Sequence, residues 1–292
     1  MSYQISNHKK RSTSRRLANG VVLTLSSIAL LAVIAPSIWI VFQILHKALP
    51  HFGLSVLTKS GVGLDGGLKN EIIGTAVISI GVVIVAGSIG ILSGIYLAQY
   101  AKGRFASILR AASDILAGIP SIVLGYVGYS ALVVGFHWGF SLGAGVITLS
   151  VLVMPYIAKT TEVALRQVPI NYIEGAEALG FKPTRILSRI TLKTALPGIT
   201  TGLIVAMAIS VGETAPLLYT AGYSQNLPKL TITHSPLGYL TYAVWTFYNQ
   251  PNKTALQLSY DAGMVIMVLI LLLIGISRII VAQTQRHAET RR

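Results

Sequence analysis

Long apolar runs separated by short polar stretches set the plan of this chain. Residues 1–20 are polar and carry Lys9, Lys10, Arg11, Arg15 and Arg16, after which Val21 to Leu45 runs without a charge. A cleaved signal peptide has an apolar core of only about 7–15 residues. The longer run here predicts a retained first span over 22–44, kinked where Pro36 frees the carbonyl of Ala32. A second span is predicted over 72–98, with Gly90 and Gly94 spaced to admit another helix closely. Ile115 to Ala158 holds no charge. Its length suits two spans, 112–135 and 143–166, with a tight turn between Phe136 and Gly143 and interruptions at Pro120 and Pro155. A fifth span over 198–221 contains Glu213 and Pro216, and a sixth over 261–283 precedes a basic tail.

The expected fold is an all-α integral membrane protein with six transmembrane helices. The expected organisation is a basic tail over 1–20, a first helix and external loop over 21–70, a core over 71–284 and a tail over 285–292. Within the core, 167–196 is a cytoplasmic loop and 222–260 an external loop rich in proline and aromatic residues.

Composition supports lipid as the surrounding medium. Hydrophobic residues make up 53% of the 292 and charged ones 11%, against about a quarter charged in a soluble domain. The absence of cysteine excludes disulfides and thiolate chemistry. A net charge of +14 would suit a nucleic-acid binder, but its distribution speaks for topology. With six spans, 18 of the 23 Lys and Arg fall on one side and five on the other. Positive residues stay on the cytoplasmic side, which places both termini and the 159–193 stretch there and predicts no nucleic-acid partner.

The one long polar stretch between apolar runs is Asn171 to Ile199. Pro169 ends the fourth helix, and Asn171 with Glu174 three residues on has the form of a capping box. Gly180 suits the position just past a helix end, and Pro183 suits a first helical turn. Ile186, Leu187 and Ile190 then share one face. The expectation is a short helix, a sharp turn and a second amphipathic helix on the membrane surface. Spacing alone leaves open whether this is a plain loop or a docking element.

Candidate chemistry inside the membrane centres on Glu213. An ionisable group at that depth faces a bundle interior or a wet cavity. Pro216 deprives the carbonyl of Gly212 of its helical partner, so irregular backbone is expected, as is tolerated only under cover of protein or water. Glu213 and Thr214 are therefore either part of a pathway or gate, or a structural pair bonded to a neighbouring helix. Pro120 and Ser121 are either a kink with a pathway hydroxyl or core packing. Asp114 is expected to open the third helix, where an acid suits the dipole. His137, Trp138 and His234 have no second ligand at metal spacing and read as interfacial, with Trp245, Phe247 and Tyr248 as an aromatic belt. Gly61 to Gly66 fits G-x-G-x-x-G, but no strand precedes it, so it reads as a flexible loop. No G-x-x-x-x-G-K-[ST] occurs, and no nucleophile–base pair or metal set. No catalytic residue, metal or cofactor is expected.

The stretch after Pro169 resembles the EAA loop of ABC importer permeases, E-A-A-x-x-x-G followed by nine residues and I-x-L-P. Glu174, Ala176, Gly180, Ile190 and Leu192 match, Gly175 replaces an Ala, and Lys193 replaces the Pro, with Leu196-Pro197-Gly198-Ile199 following. Ala117 to Val123, Gly212 to Leu218 and Trp245 to Pro251 are similar to the PstA-type permease family of bacterial phosphate ABC importers, a likeness that runs from about residue 70 to the end. The resemblance implies a type I ABC importer permease-like fold in the bacterial cell (inner) membrane. It implies half of a translocation pathway for inorganic phosphate, without an ATPase site of its own. The implied partners are a PstB-like cytoplasmic ATPase, a PstC-like second permease and a PstS-like external phosphate-binding protein. Asn171, Glu174, Ala176 and Gly180 would couple to the ATPase, and Glu213, Thr214, Pro216, Pro120 and Ser121 would belong to the pathway or gate. Glu213 alone would repel phosphate; it would accept from a partner Arg or from a protonated phosphate oxygen. Relatives commonly carry an Arg one helical turn before this Glu, where this chain has Ile209. Anion selection is therefore expected from the partner subunit or the binding protein. A permease for sulfate or molybdate, and an ATP-independent carrier, stay open as alternatives.

Overall fold

The computed structural model describes residues 3–60 and 66–289, and all regular structure among them is helical. Most of the glycine-rich pattern, residues 61–65, lies outside the described residues. The chain divides into two compact units, Met1–His51 and Phe52–Arg292.

The first unit is a single helix, α1 (Tyr3–Ala48), which Pro36 does not terminate. Its apolar part, Ala18–Ala48, has 31 residues, or ~46 Å at the α-helical rise, more than the roughly 30 Å of hydrocarbon it must cross.

The second unit contains α2 (Leu54–Thr58), α3 (Lys69–Gln99), α4 (Gly103–Ala117), α5 (Ser121–Gly128), α6 (Leu142–Arg166), α7 (Ile170–Ala178), α8 (Pro183–Ile186), α9 (Leu192–Gly212), α10 (Ala215–Thr220), α11 (Leu240–Tyr248) and α12 (Lys253–Glu289). Two π-helical stretches interrupt the regular ladder. Tyr129–Gly135 continues α5, and Leu187–Thr191 joins α8 to α9.

Glycines on α3 show how the helices run. A methyl at Gly81 would meet Val146, at Gly90 Ile157, and at Gly94 Thr161, so α3 and α6 climb together and are parallel. Small residues let the two backbones approach where lipid supplies no hydrophobic drive between helices. The contacts of α9 run the other way: Gly198 meets Ala164 and Gly202 meets Thr160, so α9 is antiparallel to α6. Ile78, Val82, Leu149, Val153, Ile157 and Ala206 fill the space between these three helices.

The parallel pair decides a question of topology. The third span predicted over 112–135 is not one rod but α4 and α5, bent by 94°. Proline cannot donate an N–H and pushes the preceding residue out of the helical region. The helix therefore stops at Ala117 and restarts at Ser121, with Pro120 extended (φ −55°, ψ 133°). A re-entrant pair would return the chain to the side it came from and leave α3 and α6 antiparallel. They are parallel, so the bent pair crosses, and with α1 the chain has six apolar crossings, as expected.

Other expectations change. The fifth span begins at Pro183, runs to Gly212 and breaks there, rather than covering 198–221. The residues expected to form a separate surface helix, Ile186, Leu187 and Ile190, are its first turns. The predicted loop 222–260 contains α11 and the start of α12. Phe247 is buried at 7% exposure against α12, leaving Trp245 and Tyr248 as the exposed aromatics of that stretch. Asp114 lies in the last turn of α4 rather than opening a helix, and its carboxylate accepts from Lys159 Nζ at 2.7 Å. The fourth span carries Lys159, Glu162 and Arg166 on its final turns.

Candidate translocation site and coupling foot

Two broken helices place their breaks side by side. The first break, Gly118–Pro120, leads into α5; the second, Glu213 and Thr214, leads into α10. Glu213 is extended (φ −75°, ψ 134°) because Pro216, in the first turn of α10, has no N–H for the carbonyl of Gly212. The two restarting helices touch closely: a methyl on Gly125 would stand 2.7 Å from Pro216 Cα, and one on Gly128 would stand 3.0 Å from Thr220 Cγ2. This approach brings Ser121, the first residue of α5, beside the Glu213 side chain, with its hydroxyl placed to donate to the carboxylate. Sequence residues 92 positions apart, singled out separately, form one polar pair.

The freed backbone at the break is covered by a distant segment. Thr241 Oγ1, at the start of α11, donates to the carbonyl of Glu213 at 2.9 Å. The N–H of Leu240 in turn donates to Thr75 Oγ1 of α3 at 2.9 Å. An uncovered carbonyl at this depth would cost several kcal/mol, so the N-terminus of α11 acts as the cap of the break. Glu213 and Thr214 are half-buried, Pro216 and Leu217 are buried, and Pro120 is exposed. Tyr126 and Tyr219 pack edge to face, 6.5 Å between centroids, on the exposed side of the same region. Among the described residues no three His, Cys, Asp or Glu side chains gather as a metal site would require.

Sequence reasoning missed the residues that tie the 221–239 loop down. Asn70 and Glu71 are 1% and 2% exposed at the start of α3. Asn70 Nδ2 donates to the carbonyl of Gln225, and Tyr223 donates to Glu71 Oε1 at 3.1 Å. Tyr223 stacks on Tyr242 with centroids 4.3 Å apart. Burial, and then the adjacent Glu71 carboxyl group, push the Tyr223 phenol well above its ordinary value, so it stays a donor. These partners lie more than 150 residues apart, and no local spacing marks them.

At the other pole, α7 forms a small exposed foot. Asn171 is not its N-cap: Pro169 occupies that position and Asn171 lies inside the first turn, with no side-chain cap bond. The far end is as expected. Gly180 has φ +75°, its N–H donates to the carbonyl of Glu177, and the N–H of Phe181 donates to the carbonyl of Ala176. That pair of bonds is a Schellman closure, which needs a residue free to adopt positive φ. Ala176 is buried in the foot's own turn at 4% exposure, whereas Asn171, Glu174 and Gly180 face outward. The Arg185 guanidinium lies over the Phe181 ring at 5.2 Å, bracing the turn. Ile170, Tyr172 and Leu179 are exposed at 59%, 56% and 76%, an apolar surface on a segment outside the spans.

The sequence matches the model of the binding-protein-dependent transport system inner membrane component over residues 90–286. The chain belongs to this family. It is 57% identical over 251 residues to phosphate transport system permease protein PstA 2 of Mycobacterium bovis and of Mycobacterium tuberculosis, covering 86% of this chain and 83% of theirs. It is 34% identical over 281 residues to phosphate transport system permease protein PstA of Yersinia pestis, covering 95% of this chain and 94% of that one. Among solved structures, the fold matches a chain of the MetNI methionine ABC transporter in an inward-facing conformation, with TM-score 0.61, 21% identity, and coverage of 74% of this chain and 95% of that one. The chain is thus a multi-pass membrane permease with the type I ABC importer fold. It is a transport subunit rather than an enzyme, and a permease of this family works with a separate ATPase, a second permease and a binding protein.

Proposed function

We propose that this permease carries inorganic phosphate inward across a bacterial cell membrane as one half of the pathway, driven by a PstB-like ATPase seated on α7. The observation that carries the substrate is the 57% identity, over 86% of the chain, to relatives named as phosphate transport permeases. The geometry supports the rest. Transporter sites are commonly built at discontinuous helices near mid-membrane, and here the breaks at Gly118–Pro120 and Glu213–Thr214 adjoin, with Ser121 and Glu213 paired. Glu213, Thr214, Pro216, Pro120 and Ser121 line or move the pathway. Glu213 excludes fully ionised oxyanions and accepts from a phosphate oxygen that still carries a proton. A PstC-like permease supplies the other half, and a PstS-like binding protein delivers the anion on the outer side. Both termini and α7 face the cytoplasm, in line with the distribution of Lys and Arg.

Coupling rests on α7. Asn171, Glu174 and the apolar residues Ile170, Tyr172 and Leu179 contact the ATPase, while Ala176 and Gly180 hold the foot in shape. The foot connects through Pro183 and the π-helical stretch 187–191 to the helix that ends at Glu213. A push on α7 therefore arrives at the break along one continuous rod.

The test is uptake by the complete transporter in vesicles. ATP-dependent uptake of labelled phosphate that a hundredfold excess of sulfate leaves unchanged is expected. Uptake that proceeds without ATP, or that sulfate abolishes, would overturn the reading. Glu174→Arg should reduce both uptake and co-purification of the ATPase, and retention of both would remove α7 from the coupling role.

A further inference from the structure

The two arms of the bent crossing are held by different forces. α5 buries three of its eight residues, two of them glycines in contact with neighbouring elements. α4 buries one of its fifteen, Ala106. Charge holds it instead. Arg110 Nε donates to Glu162 Oε1 of α6 at 2.9 Å, and Arg110 Nη2 to the carbonyl of Leu97 at the end of α3 at 3.2 Å. One turn further along α4, Asp114 pairs with Lys159 at 2.7 Å.

A buried carboxylate stripped of its partner costs about 3–5 kcal/mol, which would ordinarily forbid α4 from leaving. Glu162, with its side chain 10% exposed, has a second guanidinium. Arg166 Nε reaches the same Oε1 at 3.0 Å and its Nη2 reaches the same Leu97 carbonyl at 3.4 Å. Arg166 lies one turn along the same helix as Glu162 and stays beside it whatever α4 does. Departure of α4 thus strands neither the carboxylate nor the carbonyl. The groups that would separate are already wetted: Arg110 is 38% exposed, and Asp114 and Lys159 are 60% and 67% exposed. An exposed pair of that kind is worth only about 0–1 kcal/mol. At its far end α4 meets the non-helical break Gly118–Pro120, which adjoins Glu213.

We propose that α4 is a releasable arm, latched to α6 by Arg110–Glu162 and Asp114–Lys159 in one transport state and freed in the other, pivoting at Gly118–Pro120. The proposal rests on the permease reading, because it needs two states driven by an ATPase. Arg166 is the duplicate that makes release cheap, and Arg110 and Asp114 are positioning residues rather than contacts to the cargo.

The chain has no cysteine, so introduced thiols are the subunit's only ones. Spin labels on Ile108→Cys and Val163→Cys, both at exposed positions, report the α4–α6 separation in the reconstituted complex. Two distance populations are expected, with weights that change when ATP and vanadate trap the ATPase. A single distance indifferent to nucleotide overturns the proposal. A second variant, Asp114→Cys with Lys159→Cys, is bridged by a reducible bis-thiosulfonate linker. Phosphate uptake should fall at least tenfold on bridging and return on reduction, and undiminished uptake while bridged also overturns it. The spin-label distance does not depend on the cargo. Failure of the unbridged, ATP-hydrolysing complex to move phosphate would strike the phosphate reading and leave the arm standing.

Discussion

The break around Glu213 and the foot around Gly180 are both short departures from helix, yet they are finished in opposite ways. At the break, distant residues of the same chain reach the exposed groups. Thr241 covers the carbonyl of Glu213, Ser121 reaches its side chain, and Gly125 brings the α5 backbone against Pro216. At the foot the backbone closes on itself through Glu177 and Ala176, while Ile170, Tyr172 and Leu179 remain open to solvent. The first region is held by contacts within the chain; the second leaves apolar area exposed, the surface on which the proposed ATPase would sit. The difference separates a residue whose loss weakens this subunit from one whose loss weakens an assembly.

Four substitutions sharpen or break that contrast. Gly125→Leu should do the most damage. A single methyl already falls 2.7 Å from Pro216 Cα, and overpacking of this kind costs about 1–3 kcal/mol or more. The folded subunit should largely disappear from detergent extracts, and normal recovery would show that α5 and α10 are not locked. Thr241→Val should follow, leaving the Glu213 carbonyl unpaired at a cost of about 1–3 kcal/mol, read as a lower melting temperature. An unchanged melting curve would mean that something else caps the break. Leu179→Asp should leave melting untouched and weaken ATPase binding about tenfold, or ~1.4 kcal/mol. A melting shift there would make the foot structural after all. Tyr223→Phe should have the smallest effect, roughly 1 kcal/mol, with faster proteolysis of the 221–239 loop as the readout. Loop cleavage at the ordinary rate would show that Tyr223 does not tie it down.

Much of the candidate site was legible in the chain itself, because proline acts locally. Pro120 and Pro216 mark the two broken helices, although Pro36 and Pro155, with the same missing N–H, stay inside continuous α1 and α6, and Gly180 with Pro183 announces a tight turn between two helices. The resemblance to the EAA loop rested on that same local spacing. Errors arose where a local sign had two solutions. Asn171 and Glu174 have the spacing of a capping box, but Pro169, already extended, took the cap. Asp114 suited a helix start, but α4 begins eleven residues earlier at Gly103, because Lys102 and Gly103 make the turn out of α3. Lys159 and Arg166 enter the sequence reading only as topology-setting charges and Glu162 not at all, when Lys159 and Glu162 hold α4 and Arg166 shares the Glu162 carboxylate.

The order of polar and apolar residues by itself determined that this chain crosses a membrane six times and that one basic stretch lies between crossings, but not which prolines break a helix, since Pro155, expected to interrupt the fourth span, lies inside the continuous α6. Those properties follow from transfer free energy and from single-residue backbone chemistry, both of which act over a few neighbours. Only the tertiary structure decided that Ser121 meets Glu213, that Thr241 caps the break, that Tyr223 reaches Glu71, and that Arg110 and Arg166 share one carboxylate. Each pairing joins positions far apart in the chain or on different helices, and is selected by how closely glycine-lined helices can approach.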